Sequence, residues 1–180
     1  MPLSLEYAGQ VRDVVVAQLE DAARGLNAQL ALTLAAAGLP VFAFDWSAAS
    51  LNFFEAQVDP NDIETSTPMK YPICTLTVVN EDNTLDQTWI TFSGTVPVEF
   101  VIYISFIQSG VPRNVEKTLN AVTAAVIRTF CDSSAAATAN FTGPVTFNRK
   151  VRVTRPRLQM GAQNWRAPLK FSMVFQLDTN

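Results

Sequence analysis

The sequence predicts an α+β fold: a mostly antiparallel sheet, two main helices packed on one of its faces, and a long C-terminal β-hairpin. Three observations predict it. A long apolar stripe at helical spacing opens the chain, residues 96–106 alternate strictly between two faces, and a second helical stripe is followed by two further alternating runs. Runs of strands interleaved with so few helices give helices on one side of an antiparallel sheet. With 180 residues, 48% of them apolar, and a net charge of −3, one domain over residues 1–180 is expected to bury its core without disulfides or metal.

The first stripe runs through Val11, Val15, Leu19, Ala22, Leu26, Leu30 and Leu34. Ser4 is the expected cap, and Gly38 followed by Pro40 the expected stop. Unbroken over 5–37, such a helix would be about 50 Å long, against a diameter of about 40 Å for a globule of this size. It therefore either breaks, at Gly25, or projects towards a neighbour. Residues 41–71 scatter Phe42, Phe44, Trp46, Phe53 and Phe54 among acids and prolines without a period. They read as a long irregular connection with room for one short strand, pinned by its aromatics; a ligand cleft is the alternative.

Residues 73–79 are β-branched, Glu81, Asp82 and Asn83 suggest a turn, and 85–92 returns as the second strand of a hairpin. In 96–106 the face of Val96, Val98, Phe100, Ile102, Ile104 and Phe106 is wholly apolar, so this strand is expected against helices, with Pro97 tolerated near its start. Gly110 and Pro112 lead into a helix with the stripe Val115, Leu119, Val122, Val126 and Phe130. Strands at 145–155 and 169–177 close the chain, joined by a long tip at 156–168 that carries Gly161, Trp165 and Arg166.

Composition removes many chemistries. Without histidine there is no imidazole base or ligand, and the seven glycines form no phosphate loop or dinucleotide fingerprint. Cys74 and Cys131 lack zinc spacing and read as two buried reduced thiols, a single disulfide being the alternative. Asp59 with Asp62 and Glu64, and Glu81 with Asp82 and Asp86, are carboxylate groups that suit acid–base work or a hard cation in principle. Their setting in connections and turns favours solvated acids, so no enzyme and no cofactor is expected. Glu6 stands where a signal peptide carries a basic residue, and polar residues, Gly38 and Pro40 interrupt the apolar stretch 26–44. A cytoplasmic protein without membrane contact is expected.

The division of charge is the informative feature. From 133 to 177 the chain has seven basic residues and no acid; the remainder carries six basic and sixteen acidic residues, or −10. Lys150 and Arg152 share one side of their strand, whereas Arg149 and Arg155 fall on the apolar parity and must sit near its ends, snorkel or pair with acids. Three readings stay open: pairing with acids of the same chain, contact with nucleic acid, or contact of the basic end of one copy with the acidic bulk of the next in a closing ring. The candidate interface residues are Lys150, Arg152, Arg155, Arg157, Trp165 and Arg166.

The order of elements resembles the tail terminator proteins of long-tailed bacteriophages. The resemblance rests on the leading helix that begins at Val11 and stops by Ala37, the strand from Val96 to Phe106 that passes through Gly110 and Pro112 into a helix ending at Phe130, and the closing hairpin between Val145 and Leu177. It covers most of the chain as a pattern of elements, and related phage neck and head–tail connector proteins share the outline. It implies a non-enzymatic ring, usually a hexamer, that caps the tail tube and presents a surface to the head-side connector. Its partners would be further copies of itself, the tail tube protein and the connector protein, with DNA passing the lumen without specific binding. Its place would be the virion, and the host cytoplasm during assembly.

Overall fold

The computed structural model describes residues 3–47, 49–50, 52–55, 71–78, 82–83, 93–105, 114–132, 141, 143–160 and 165–178, with backbone alone for 3–8 and 82–83. The first stripe is helical and broken: α1 spans Leu3–Glu20 and α2 Leu26–Ala36. Both halves of the stripe are buried, Val11, Val15 and Leu19 on α1 and Leu26, Leu30 and Leu34 on α2. Asp21 makes the break. Its Oδ1 accepts the N–H groups of Ala23 and Arg24 at 2.9 Å, and its carbonyl accepts that of Gly25 at 2.7 Å. A Cβ on Gly25 would overlap the carbonyl oxygens of Leu19 and Asp21, so the turn demands glycine through close approach. One expectation is corrected here: Ser4 lies inside α1, which already begins at Leu3. The stripe breaks in the turn that ends at Gly25, the first of the two alternatives its length allowed.

Gly38, at φ +64°, ends α2 in a Schellman closure: Leu39 N–H reaches the Leu34 carbonyl and Gly38 N–H that of Ala35, both at 2.9 Å. The chain then runs back along α2, where the Asn27 amide clasps the N–H and the carbonyl of Phe44, each at 2.8 Å. Rings of Phe42, Phe44, Trp46 and Phe53 follow one another in edge or tilted contacts. They deliver β1 (Phe53–Phe54), the one short strand expected in the connection. Residues 56–70 of that connection lie outside the described residues.

Seven strands among the described residues form one sheet: β1, β2 (Ile73–Val78), β3 (Asp82–Asn83), β4 (Ser93–Ser105), β5 (Val145–Thr154), β6 (Gln159–Met160) and β7 (Trp165–Asp178). The path is β1-β2-β4-β7-β5, with β3 added to β4 and β6 to β7; only β1 with β2 is parallel. Two strand expectations change. β2 pairs along its length with β4, from Ile73 opposite Tyr103 to Val78 opposite Val98, while the 85–92 strand expected beside it lies outside the described residues. Asp82 and Asn83, expected in a turn, form β3 opposite Thr95 and Gly94. Pro97 falls in the gap between these two pairings, where its missing N–H breaks no ladder on that side.

Helix α3 (Val115–Cys131) buries the expected stripe together with Thr118, Ala121, Ala125 and Thr129. Buried residues alternate along β4 and β7, so one sheet face carries the helices and the other is open. Phe100, Phe130, Phe171 and Phe175 are fully buried between the layers, and Phe147 stacks on Phe175 at 4.7 Å. The Gln18 amide donates to the Thr129 carbonyl at 2.7 Å, tying α1 to α3 inside that core. Both cysteines are free thiols. Cys74 is buried, but Cys131, at the end of α3, is part-exposed, contrary to expectation.

Candidate assembly interface

The basic segment is built on β5, which among the described residues stands at the edge of the sheet with β7 on one side only. From Val145 to Phe147 it pairs in simple register, and it resumes at Val151 opposite Met173. Between, Asn148, Arg149 and Lys150 face the single residue Val174, a bulge in which Arg149 takes φ +60°. Asn148 Oδ1 accepts the Lys150 N–H at 3.0 Å, and the Arg149 carbonyl accepts the Cys131 thiol at 3.1 Å. The bulge is thus held from both sides. Burial raises the Cys131 pKa against an opposing effect of the Arg149 charge, and burial pushes that of Cys74 well up. Bulges and inward or outward charges of this kind keep an exposed edge from pairing indiscriminately.

The cations divide into two sets. Arg155 donates to Glu116 Oε1 and to Asn120 Oδ1 on α3, both at 2.6 Å, which is the pairing alternative among the three its parity left open. Lys170 pairs with Glu99 across the open face at 2.5 Å. Arg166, expected on an exposed tip, is only 4% exposed. It is already within β7, its guanidinium carbon 5.7 Å from the Tyr103 ring centre and its Nε donating to Gln159 Oε1 at 3.3 Å. Arg155 and Arg166 therefore leave the set of cations facing outward. Lys150, Arg152 and Arg157 are exposed, and among the described residues none has a carboxylate within ion-pair distance.

The expected loop at 156–168 is shorter than the spacing suggested, because β6 and the start of β7 continue the ribbon, with Met160 opposite Trp165. Trp165 is half exposed, as are Leu158 and, more so, Met160. Leu158 and Met160 were not singled out in the sequence; two apolar residues following Arg157 in a solvent-directed turn were the available signal. Residues 161–164, with the Gly161 expected at the tip, lie outside the described residues; beside them Leu158, Met160 and Trp165 form an exposed apolar stretch with Arg157 on its flank.

Where this ribbon meets the open face, a groove of about 520 Å³ is lined by Thr75, Thr77, Glu99, Val101, Tyr103 and Lys170, among others. Its charged groups are already joined as the Glu99–Lys170 pair. Among the described residues no group of three or more Cys, Asp or Glu converges; Asp59, Asp62, Glu64, Glu81 and Asp86 lie outside them. Among those residues, too, no helix is long and apolar enough to cross a membrane. A scan of protein-family models finds no match to the chain, and a search of curated proteins finds no significant relative.

Proposed function

We propose that this chain is a structural subunit of a ring, of the tail-terminator kind, that closes the tube of a phage tail and joins it to the head-side connector. The observation that carries the proposal is the open basic edge. Lys150, Arg152 and Arg157 face solvent without acids of their own among the described residues, on a chain whose remainder carries −10. Opposite fields on two parts of one subunit orient a head-to-tail contact, and such a contact closes into a ring when its rotation permits. Six copies, the tube protein on one side and the connector protein on the other are what the resemblance adds. Stopping a polymer needs one surface that docks on the last tube ring and another that refuses the next tube subunit. The role is non-enzymatic, without cofactor, and belongs in the virion and in the host cytoplasm where virions assemble.

Reversing two charges tests it: Arg152→Glu with Arg157→Glu. The wild type should scatter light as a ring, and the variant should keep its circular dichroism spectrum but remain monomeric. Unchanged assembly would overturn the proposal. If instead the wild type is monomeric and binds duplex DNA with an affinity that falls by about 0.9 log units per log unit of salt for each phosphate neutralised, the basic arm serves nucleic acid.

A further inference from the structure

Helix α2 carries no charged residue, and Asn27, Gln29 and Thr33 are its polar ones, so its outward side lacks the charged face usual for a surface helix. Its inner residues, Leu26, Leu30 and Leu34, are fully buried, yet Ala31, Leu32, Ala35 and Ala36 face solvent, Leu32 at 58%. Beside it, on the returning segment held by Asn27, Val41 is 54% exposed. No charged residue occurs from 26 to 44. An uncharged surface presented by a helix and the segment returning alongside it is of the kind that marks interaction sites.

Among the described residues, a second group of exposed apolar side chains is Leu158, Met160 and Trp165, on either side of 161–164 in the arm. Both clusters are open in one subunit, so neither covers the other within it. Their charged rims are complementary. Arg157 borders the arm, with Arg152 and Lys150 further along β5. Glu20 and Asp21 precede α2, and Asp45 follows Phe44, which Asn27 in the first turn of α2 holds, with Arg24 between them in sequence. Hydrogen bonding to Ser47 lowers the Asp45 pKa and keeps its charge.

We infer that the outward face of α2 receives the arm tip of a second copy, with Leu32 and Val41 opposite Met160, Leu158 and Trp165. This deepens the ring reading and rests on it. The contact is heterologous: each subunit gives its tip to one neighbour and its α2 to the other.

Complementation between two broken subunits tests the pairing. Leu32→Glu spoils only the receiving face and Met160→Glu only the tip; both sites are exposed, and thermal melts of each variant check that it folds. Each alone should self-associate at least about thirtyfold more weakly than the wild type, the loss expected for a central apolar anchor. Mixed, they should form a dimer by sedimentation, because the intact tip of the first meets the intact α2 of the second. As a second measurement, Ala35→Cys mixed with Leu158→Cys, both in a Cys131→Ser background, should cross-link between chains under oxidation. A wild type that stays monomeric overturns the inference together with the ring reading. Assembly that survives Leu32→Glu but fails with Arg152→Glu and Arg157→Glu, or a mixture that gives neither dimer nor cross-link, overturns the inference and leaves the ring reading standing.

Discussion

Helices α2 and α3 pack against each other, and each buries one apolar stripe in the same core. Their outer faces differ in charge. α3 turns Glu116, Lys117, Asn120 and Arg128 to water around the exposed Ile127, whereas α2 turns only alanines and Leu32. The inner faces carry the information for folding and would serve a monomer equally well. Under the proposed ring, the difference separates residues that make the subunit from residues that make its contacts.

Substitution on the two sides of α2 breaks that comparison most directly. Leu30→Ala should cost about 2–5 kcal/mol of stability in urea unfolding, from lost burial and the cavity left behind. Leu32→Ala should change monomer stability by no more than about 0.5 kcal/mol and weaken assembly. Lys117→Ala on α3 should do neither. Equal losses at Leu30 and Leu32 would mean that the outer face of α2 belongs to the core after all.

Next in size is the hinge that sets the direction of α2. At φ −63° alanine is ordinarily accepted in place of glycine, and it stabilises when it fits. At Gly25 the sign should reverse, because the added Cβ meets backbone oxygens that move only if the turn opens. A loss of about 1–3 kcal/mol is expected for Gly25→Ala. Gly38→Ala, where nothing lies within 4 Å of the added carbon, should lose about 1–2 kcal/mol, from the left-handed backbone alone. Thermal melts of the two variants give the order.

Local periodicity made the helices, β4 and the helix-bearing face of the sheet legible, and simple length located the break at Gly25. Pairing partners were not legible, because they depend on register between distant segments. β2 presents Cys74, Leu76 and Val78 opposite Ile102, Phe100 and Val98 on the helix side, a match that exists only once the sheet is assembled. The start of β7 was hidden by Pro168, which reads as loop yet sits opposite Tyr103 in the ladder. Arg166 reads as a surface residue in a turn, and its burial comes from Tyr103 on another strand. The charge asymmetry was visible, and parity marked Arg155 as a residue that had to sit near the strand end, snorkel or pair with an acid. The bulge at Arg149 has no glycine to announce it and was not visible, although parity already set Lys150 on the side of Arg152. The uncharged run from 26 to 44 was plain in composition, but whether its outer side is covered is a property of the packed molecule.

The same division between residues that hold the subunit and residues left for contacts runs through the basic arm, with smaller energies. Arg155 ties β5 to α3 through Glu116 and Asn120, whereas Arg152 on the same strand has no such partner among the described residues. The Arg155–Glu116 pair is largely solvent-exposed, so Arg155→Ala should cost only about 0–1 kcal/mol, and Arg152→Ala should be neutral to monomer stability. A double-mutant cycle with Glu116→Ala isolates the pair, and its coupling should shrink as salt rises and the Debye length falls to about 3 Å near 1 M. For assembly the order should invert, Arg152→Ala weakening it and Arg155→Ala sparing it. If instead the two arginines prove equivalent in both measurements, the arm is one uniform positive surface, and its sorting into inward and outward cations fails.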